Sequence, residues 1–169
     1  MSKAERMLRV DQAGEYGATR IYAGQLAVMG DRAPHADEVS AMAEQELAHR
    51  RRFDALVAER GVRPTALQPL WSVAGYALGA ATALIGPEAA MACTAAVEEE
   101  IDRHYSKQLE DLGDDDAELA ALIAEFREDE RAHKAAALAA GAERAPAFAL
   151  LSGAIRLGCR AAIRLSERI

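Results

Sequence analysis

Two phrases, Glu46-Leu47-Ala48-His49 and Glu130-Arg131-Ala132-His133, constrain this chain more than anything else in it. Residues three apart share a helix face, so each phrase aims a carboxylate and an imidazole the same way. Alone, Glu-x-x-His is common in any Glu-rich helical sequence. Here both copies lie on apolar stripes with helical spacing: Val39, Met42, Glu46, His49, Phe53 and Leu56 in one, and Leu119, Leu122, Phe126, Glu130, His133 and Ala137 in the other. Each copy has a partner upstream on a stripe of its own. Glu15 is in phase with Leu8, Tyr22, Leu26 and Met29, and Glu98 with Met91, Ala95, Ile101, Tyr105, Leu109 and Leu112. Glu15 precedes Glu46 by 31 residues and Glu98 precedes Glu130 by 32, so the chain reads as one helical hairpin written twice.

Four carboxylates and two imidazoles on core-facing stripes need an explanation. A buried, unpartnered carboxylate is costly, so such groups are neutralised, paired or bound to metal. A set of Glu15, Glu46, His49, Glu98, Glu130 and His133 suits two iron or manganese ions, whereas magnesium and calcium prefer all-oxygen ligands. Within Glu98-Glu99-Glu100 only Glu98 is in phase; Glu99 and Glu100 are expected on a more solvated face, or one of them behind the ligands. Tyr105, two turns beyond Glu98, is expected to face inward, as a packed tyrosine or as a residue behind the metal ligands that relays electrons or lines a substrate cavity. His104 is off the stripe and expected nearer the surface. No G-x-G-x-x-G phrase points to a dinucleotide-binding fold, and no serine or cysteine has a triad-like arrangement. Cys93 and Cys159 have no Cys-x-x-Cys spacing and are expected to be reduced, buried thiols.

The remaining punctuation gives an all-α fold. Helices are expected over about 3–29, 35–60, 87–112 and from the acidic run at 114–116 to about 140, with Gly and Pro between them. Only 5% of residues are aromatic, and the Ala/Leu/Glu/Arg runs favour helix over strand. Residues 65–87 carry no charge and read as a crossover joining the two hairpins, buried or dipping into a membrane. From about 147 to 169 an amphipathic helix presents Arg156, Arg160, Arg164 and Arg168 every four residues, with Phe148, Leu151, Ile155 and Cys159 on the opposite arc. The expected architecture is therefore one domain over residues 1–169: a ferritin-like four-helix bundle of two hairpins with one long connection, plus a C-terminal amphipathic helix. The formal charge of −7 argues against nucleic acid as a partner.

Beyond the metal pattern, several phrases are more specific. Ala13-Gly14-Glu15-Tyr16-Gly17-Ala18, Arg20-Ile21-Tyr22-Ala23-Gly24-Gln25, Met91-Ala92-Cys93-Thr94 running into Val97-Glu98-Glu99, Gly158-Cys159-Arg160 and Leu165-Ser166-Glu167-Arg168 resemble the demethoxyubiquinone hydroxylases over nearly the whole chain. The resemblance implies a di-iron monooxygenase that uses dioxygen and two electrons to hydroxylate demethoxyubiquinone or its quinol, the penultimate step of ubiquinone biosynthesis. It implies the six residues above as iron ligands, with Glu15 and Glu98 able to shift between bridging and terminal binding. It also implies NADH as a candidate electron donor and a lipid-binding partner protein of the same pathway. The first twenty residues are too charged for an apolar leader, so a bacterial member is expected.

A polyprenyl demethoxyquinone lives in the bilayer. The uncharged crossover and the Arg-striped last helix together suggest a peripheral membrane protein, on the cytoplasmic face of a bacterial inner membrane or the matrix face of a mitochondrial one. The alternative function is a ferritin- or rubrerythrin-like iron-binding or peroxide-scavenging protein, which shares the ligand logic.

Overall fold

The computed structural model describes residues 1–169, and every regular element in it is helical. Six α-helices follow in order: α1 Lys3–Met29, α2 Ala36–Glu59, α3 Gln68–Ile85, α4 Pro87–Leu112, α5 Ala117–Ala139 and α6 Phe148–Ser166, with one 3₁₀ turn at Ala142–Arg144 before the last. Local chemistry sets the ends. Ser2 and Glu5 form a reciprocal capping box at the start of α1. Pro87 opens α4, where its missing N–H costs nothing. Asp116 caps α5 by accepting from the Leu119 amide at 3.1 Å, and its carboxylate also receives the Arg60 guanidinium beyond the end of α2. The second helix begins at Ala36 rather than His35, because His35 takes a left-handed φ of 66°.

Pairing of elements gives the expected bundle. α2 lies against α1, α5 against α4, and α1 against α4, while α2 and α5 touch only sparsely. On all four helices the polar ligand candidates interrupt an apolar stripe at the same level. To one side lies a cluster containing Leu8, Phe53, Tyr105, Leu112, Leu119 and Phe126. To the other lies one containing Tyr22, Val39, Met42, Met91, Ala95 and Ala137. Each large apolar side chain buried here contributes about 1.5–3 kcal/mol, so the two clusters hold the intervening polar layer in place.

The crossover α3 packs most closely on α1. Glycines permit the approach: a Cβ at Gly79 would overlap the Ile21 carbonyl, one at Gly24 the Tyr76 carbonyl, and one at Gly75 would lie 2.9 Å from the Gly17 carbonyl oxygen. Gly75-x-x-x-Gly79 is thus a real packing seam between backbones. α6 covers the same side of the bundle from α4. Its Ile155, with Leu151 and Cys159, joins Ile21, Cys93 and Val97 in a third apolar cluster, so both thiols are packed, and burial pushes each up to about 12. Trp71 ties α3 to α6 by donating its indole N–H to Ser166 Oγ at 2.9 Å.

One expectation is corrected here. Glu100 does not face solvent: it is 2% exposed and receives both ends of the Arg160 guanidinium at 2.8 and 2.9 Å. Half-buried Glu99 lies 3.5 Å from Arg156. α6 covers α4 on a second face, beyond the arc that the stripe marks, so the neighbours of Glu98 meet arginines instead of water. The outward side of α6 consequently carries Leu150, Leu157 and Leu165 as well as Arg164. No helix is long and apolar enough to cross a membrane.

Candidate metal centre

The six ligand candidates meet in one buried layer. Glu46, Glu98 and Glu130 have no exposed surface, and Glu15, His49 and His133 very little. They divide into two overlapping groups, Glu15, Glu46, His49 and Glu130, and Glu46, Glu98, Glu130 and His133, within each of which the ligand atoms lie inside 4.8 Å of one another. Glu46 and Glu130 belong to both. Glu130 shows why: its Oε1 is 3.2 Å from His49 Nδ1 and its Oε2 is 3.3 Å from His133 Nδ1. Glu46 Oε1 stands 3.2 Å from His133 Nδ1. The shared positions therefore fall to Glu46 and Glu130, one from each Glu-x-x-His phrase, with Glu15 and Glu98 at the outer ends.

Each histidine is oriented by the opposite helix. His49 on α2 hydrogen-bonds through Nε2 to Asp129 Oδ2 on α5 at 3.0 Å, and His133 on α5 through Nε2 to Gln45 Oε1 on α2 at 3.0 Å. Both acceptors take a proton from Nε2, which leaves each Nδ1 turned toward the carboxylates. Phe126 stacks on His49 with ring centroids 3.9 Å apart.

The outer carboxylates are hydrogen-bonded as well. Tyr22 on α1 donates to Glu98 Oε1 on α4 at 2.7 Å, and Tyr105 on α4 donates to Glu15 Oε1 on α1. Tyr105 thus faces inward as expected, but stands behind Glu15 rather than Glu98. Half-buried His104 pairs with Asp11 Oδ1 at 3.2 Å, one turn from Glu15. Tyr22, Gln45 and Asp129 were not among the site residues expected from the sequence. A signal for the last two was present: each precedes the Glu of a Glu-x-x-His phrase, at equivalent places in the two repeats.

These residues fit a pair of metal ions. Glu15 Oε2, both oxygens of Glu46, His49 Nδ1, Glu98 Oε2, both oxygens of Glu130 and His133 Nδ1 are buried without any hydrogen-bond partner. Native interiors carry only a few such atoms, and eight of the sixteen in this chain fall in this one layer. The electrostatics agree. Burial, then the Glu130 charge, raises Glu46 and Glu98 well above the ordinary carboxyl value, and burial raises Glu130. Burial opposes charge on His49, but the adjoining Glu130 and Glu15 carboxylates outweigh it and lift His49 to about 10. At His133 burial prevails and lowers its pKa. Divalent cations would replace protons as the counter-charge to this cluster.

A groove of about 750 Å³ runs between α2 and α5 and reaches His49, Phe126 and Asp129, with Arg51, Arg52, Glu59 and Glu125 around it. It opens on the side of the bundle away from α3 and α6, as their packing on α1 and α4 requires.

The sequence matches the family described as Ubiquinone biosynthesis protein COQ7 over residues 2–166. It is 56% identical over 165 residues to the 3-demethoxyubiquinol 3-hydroxylase of Rhodospirillum rubrum, covering 98% of this chain and 78% of that protein. It is 51% identical over 169 residues to the human mitochondrial NADPH-dependent 3-demethoxyubiquinone 3-hydroxylase, covering 98% and 77%. To the yeast mitochondrial 5-demethoxyubiquinone hydroxylase it is 41% identical over 181 residues, covering 98% and 78%. Matched over residues 2–166 and more than half identical to a curated relative, the chain belongs to the COQ7 family of ubiquinone biosynthesis proteins.

Proposed function

We propose that this protein is an oxygen-dependent hydroxylase of demethoxyubiquinone or its quinol, working through two iron ions held by Glu15, Glu46, His49, Glu98, Glu130 and His133. The observation that carries the reading is the convergence of these six side chains, buried with their ligand atoms unpartnered, in a chain 56% identical to a 3-demethoxyubiquinol 3-hydroxylase. When bound, two irons supply the two-electron activation of dioxygen that an aromatic hydroxylation needs. The protein's own part is positional and electrostatic. Glu46 and Glu130, common to both ligand groups, would be shared between the ions, and Asp129 and Gln45 hold the imidazoles. The apolar clusters on both sides of the layer keep bulk water from it. Electrons come in this reading from a reduced nicotinamide, NADPH by the names of the animal relatives.

The quinone's polyprenyl tail requires a lipid-facing side. Val73 and Leu84 on α3 and Leu150 and Leu157 on α6 are each about 70% exposed or more, on the side of the bundle that both helices cover. We assign that side to the membrane surface, so the protein is peripheral and residues 1–169 act as one domain. An iron-storing or peroxide-scavenging role is the weaker reading: two packed cysteines cannot form a rubredoxin-type four-thiolate site, and the relatives are named as hydroxylases.

Quinone profiling tests the function. A strain lacking the gene should accumulate demethoxyquinone, and the wild-type gene should clear it while Glu98→Ala should not. A null strain with a normal quinone profile would overturn the assignment.

A further inference from the structure

Glu15 and Tyr22 are seven residues apart on α1, and Glu98 and Tyr105 are seven apart on α4. The two helices exchange hydroxyls: the tyrosine of each donates to the outer glutamate of the other. All four side chains are at most 2% exposed. The contacts are selective at the level of single atoms. Each tyrosine engages Oε1 of its glutamate and leaves Oε2 unpartnered, whereas neither oxygen of Glu46 or Glu130 receives any hydrogen bond. The donor inventory of the layer is then two carboxylates with one free oxygen, two with both free, and two imidazole nitrogens.

We propose that Tyr22 and Tyr105 are positioning residues that fix how the glutamates bind metal. By occupying one oxygen each, they hold Glu98 and Glu15 as single-oxygen ligands of one ion apiece and leave Glu46 and Glu130 to span the pair. This rests on the two-metal reading above and deepens it. It departs from the expectation that Glu15 and Glu98 move between bridging and terminal binding, because such a move would break a buried hydrogen bond to a tyrosine. Packing alone would require that each buried phenol find some acceptor. It would not require the same class of ligand, engaged through one oxygen only, at the same spacing in both repeats. Four protein donors would reach each ion, and the remaining coordination positions stay available.

The test uses the full chain loaded anaerobically with ⁵⁷Fe(II), as wild type, Tyr22→Phe, Tyr105→Phe and the double variant. Iron per chain and the Mössbauer spectrum of the diferrous form are read, with thermal melting as the check on folding. Two irons should remain in every protein. Tyr22→Phe should shift the quadrupole doublet of one iron, Tyr105→Phe that of the other, and the double variant both. Two irons in all four proteins with superimposable spectra would overturn the proposal. Fewer than two irons in well-folded wild type would overturn the metal centre itself, and the tyrosine roles with it. Should a phenylalanine variant not fold, site-specific 3-fluorotyrosine keeps the ring and sharpens the donor; a shifted doublet supports the role, and an unmoved one overturns it.

Discussion

Asp129 and Gln45 make the two halves of the site unequal. They occupy equivalent places in the repeated hairpins, yet one is an anion and the other a neutral amide. A carboxylate behind a ligating imidazole raises its basicity and fixes its ring, and losing such a partner typically costs ~10–100-fold in metal affinity. Asp129→Ala should therefore weaken binding at the His49 half by about that factor, and Gln45→Ala should cost less at the His133 half. Competition titration against a chelator measures both, and equal losses would contradict the distinction. The raised carboxyl groups make a second claim. Glu46 and Glu98 keep protons in the folded, metal-stripped protein that the unfolded chain gives up above about 4.5. The folded state then binds more protons than the unfolded one, so its stability falls as pH rises. His49 acts in the same direction: lifted from 6.5 to about 10, it stabilises fully below 6.5 and progressively less as pH climbs through 10. Chelator-stripped protein should thus melt lower at pH 8 than at pH 6, while the iron-loaded form, with cations in place of protons, should show a smaller drop. Stripped protein gaining stability over that range would refute this.

At the scale of elements, the seam between α1 and α3 is the most sensitive to substitution. The neighbour of Gly79 is the backbone of Ile21, which cannot rotate away as a side chain would. Gly79→Val should cost at least the ~1–3 kcal/mol typical of overpacking, measured by chemical or thermal unfolding. Gly153 on α6 is the contrasting position: a Cβ there meets nothing within 4 Å, so Gly153→Ala should stabilise by roughly 0.5–1 kcal/mol. If both glycines responded alike, the seam would not be the constraint we describe. The helix ends needed no tertiary help to be read. Pro87, Gly113 and Asp116 mark them by local chemistry, and the observed bounds of α1 and α4 coincide with those expected from the stripes. What α4 faces was legible on one side only, because a stripe reports the buried arc against a single partner. α4 meets α1 and α5 on that arc and α6 on another.

For the molecule as a whole, the arrangement is two-sided. His49, His133 and a charged-rimmed groove belong to the α2/α5 side, and the most exposed large apolar residues, Val73, Leu84, Leu150 and Leu157, to the side covered by α3 and α6. Vesicle flotation should separate the contributions. Val73→Glu combined with Leu157→Glu should reduce recovery with anionic vesicles about tenfold or more while iron content is unchanged, since each replaces exposed apolar surface with a charge repelled by the lipid. Undiminished flotation would remove this face from consideration. Arg160 is a poor probe of the same surface, because its reversal to an acid would confront the buried carboxylate of Glu100 and unseat α6.

By itself the sequence determined the helices, the duplicated hairpin and the six ligand candidates, because periodicity and spacing are properties of one chain segment at a time. Tertiary structure alone decided which carboxylates are shared, which acceptor holds each histidine, and that Tyr22 belongs to the site beside Tyr105. Those facts depend on which atoms of two different helices meet across the core. Glu46 and Glu130 are marked along the chain by a histidine three residues on, whereas nothing beside Glu15 or Glu98 announces the tyrosine that reaches each from the other helix.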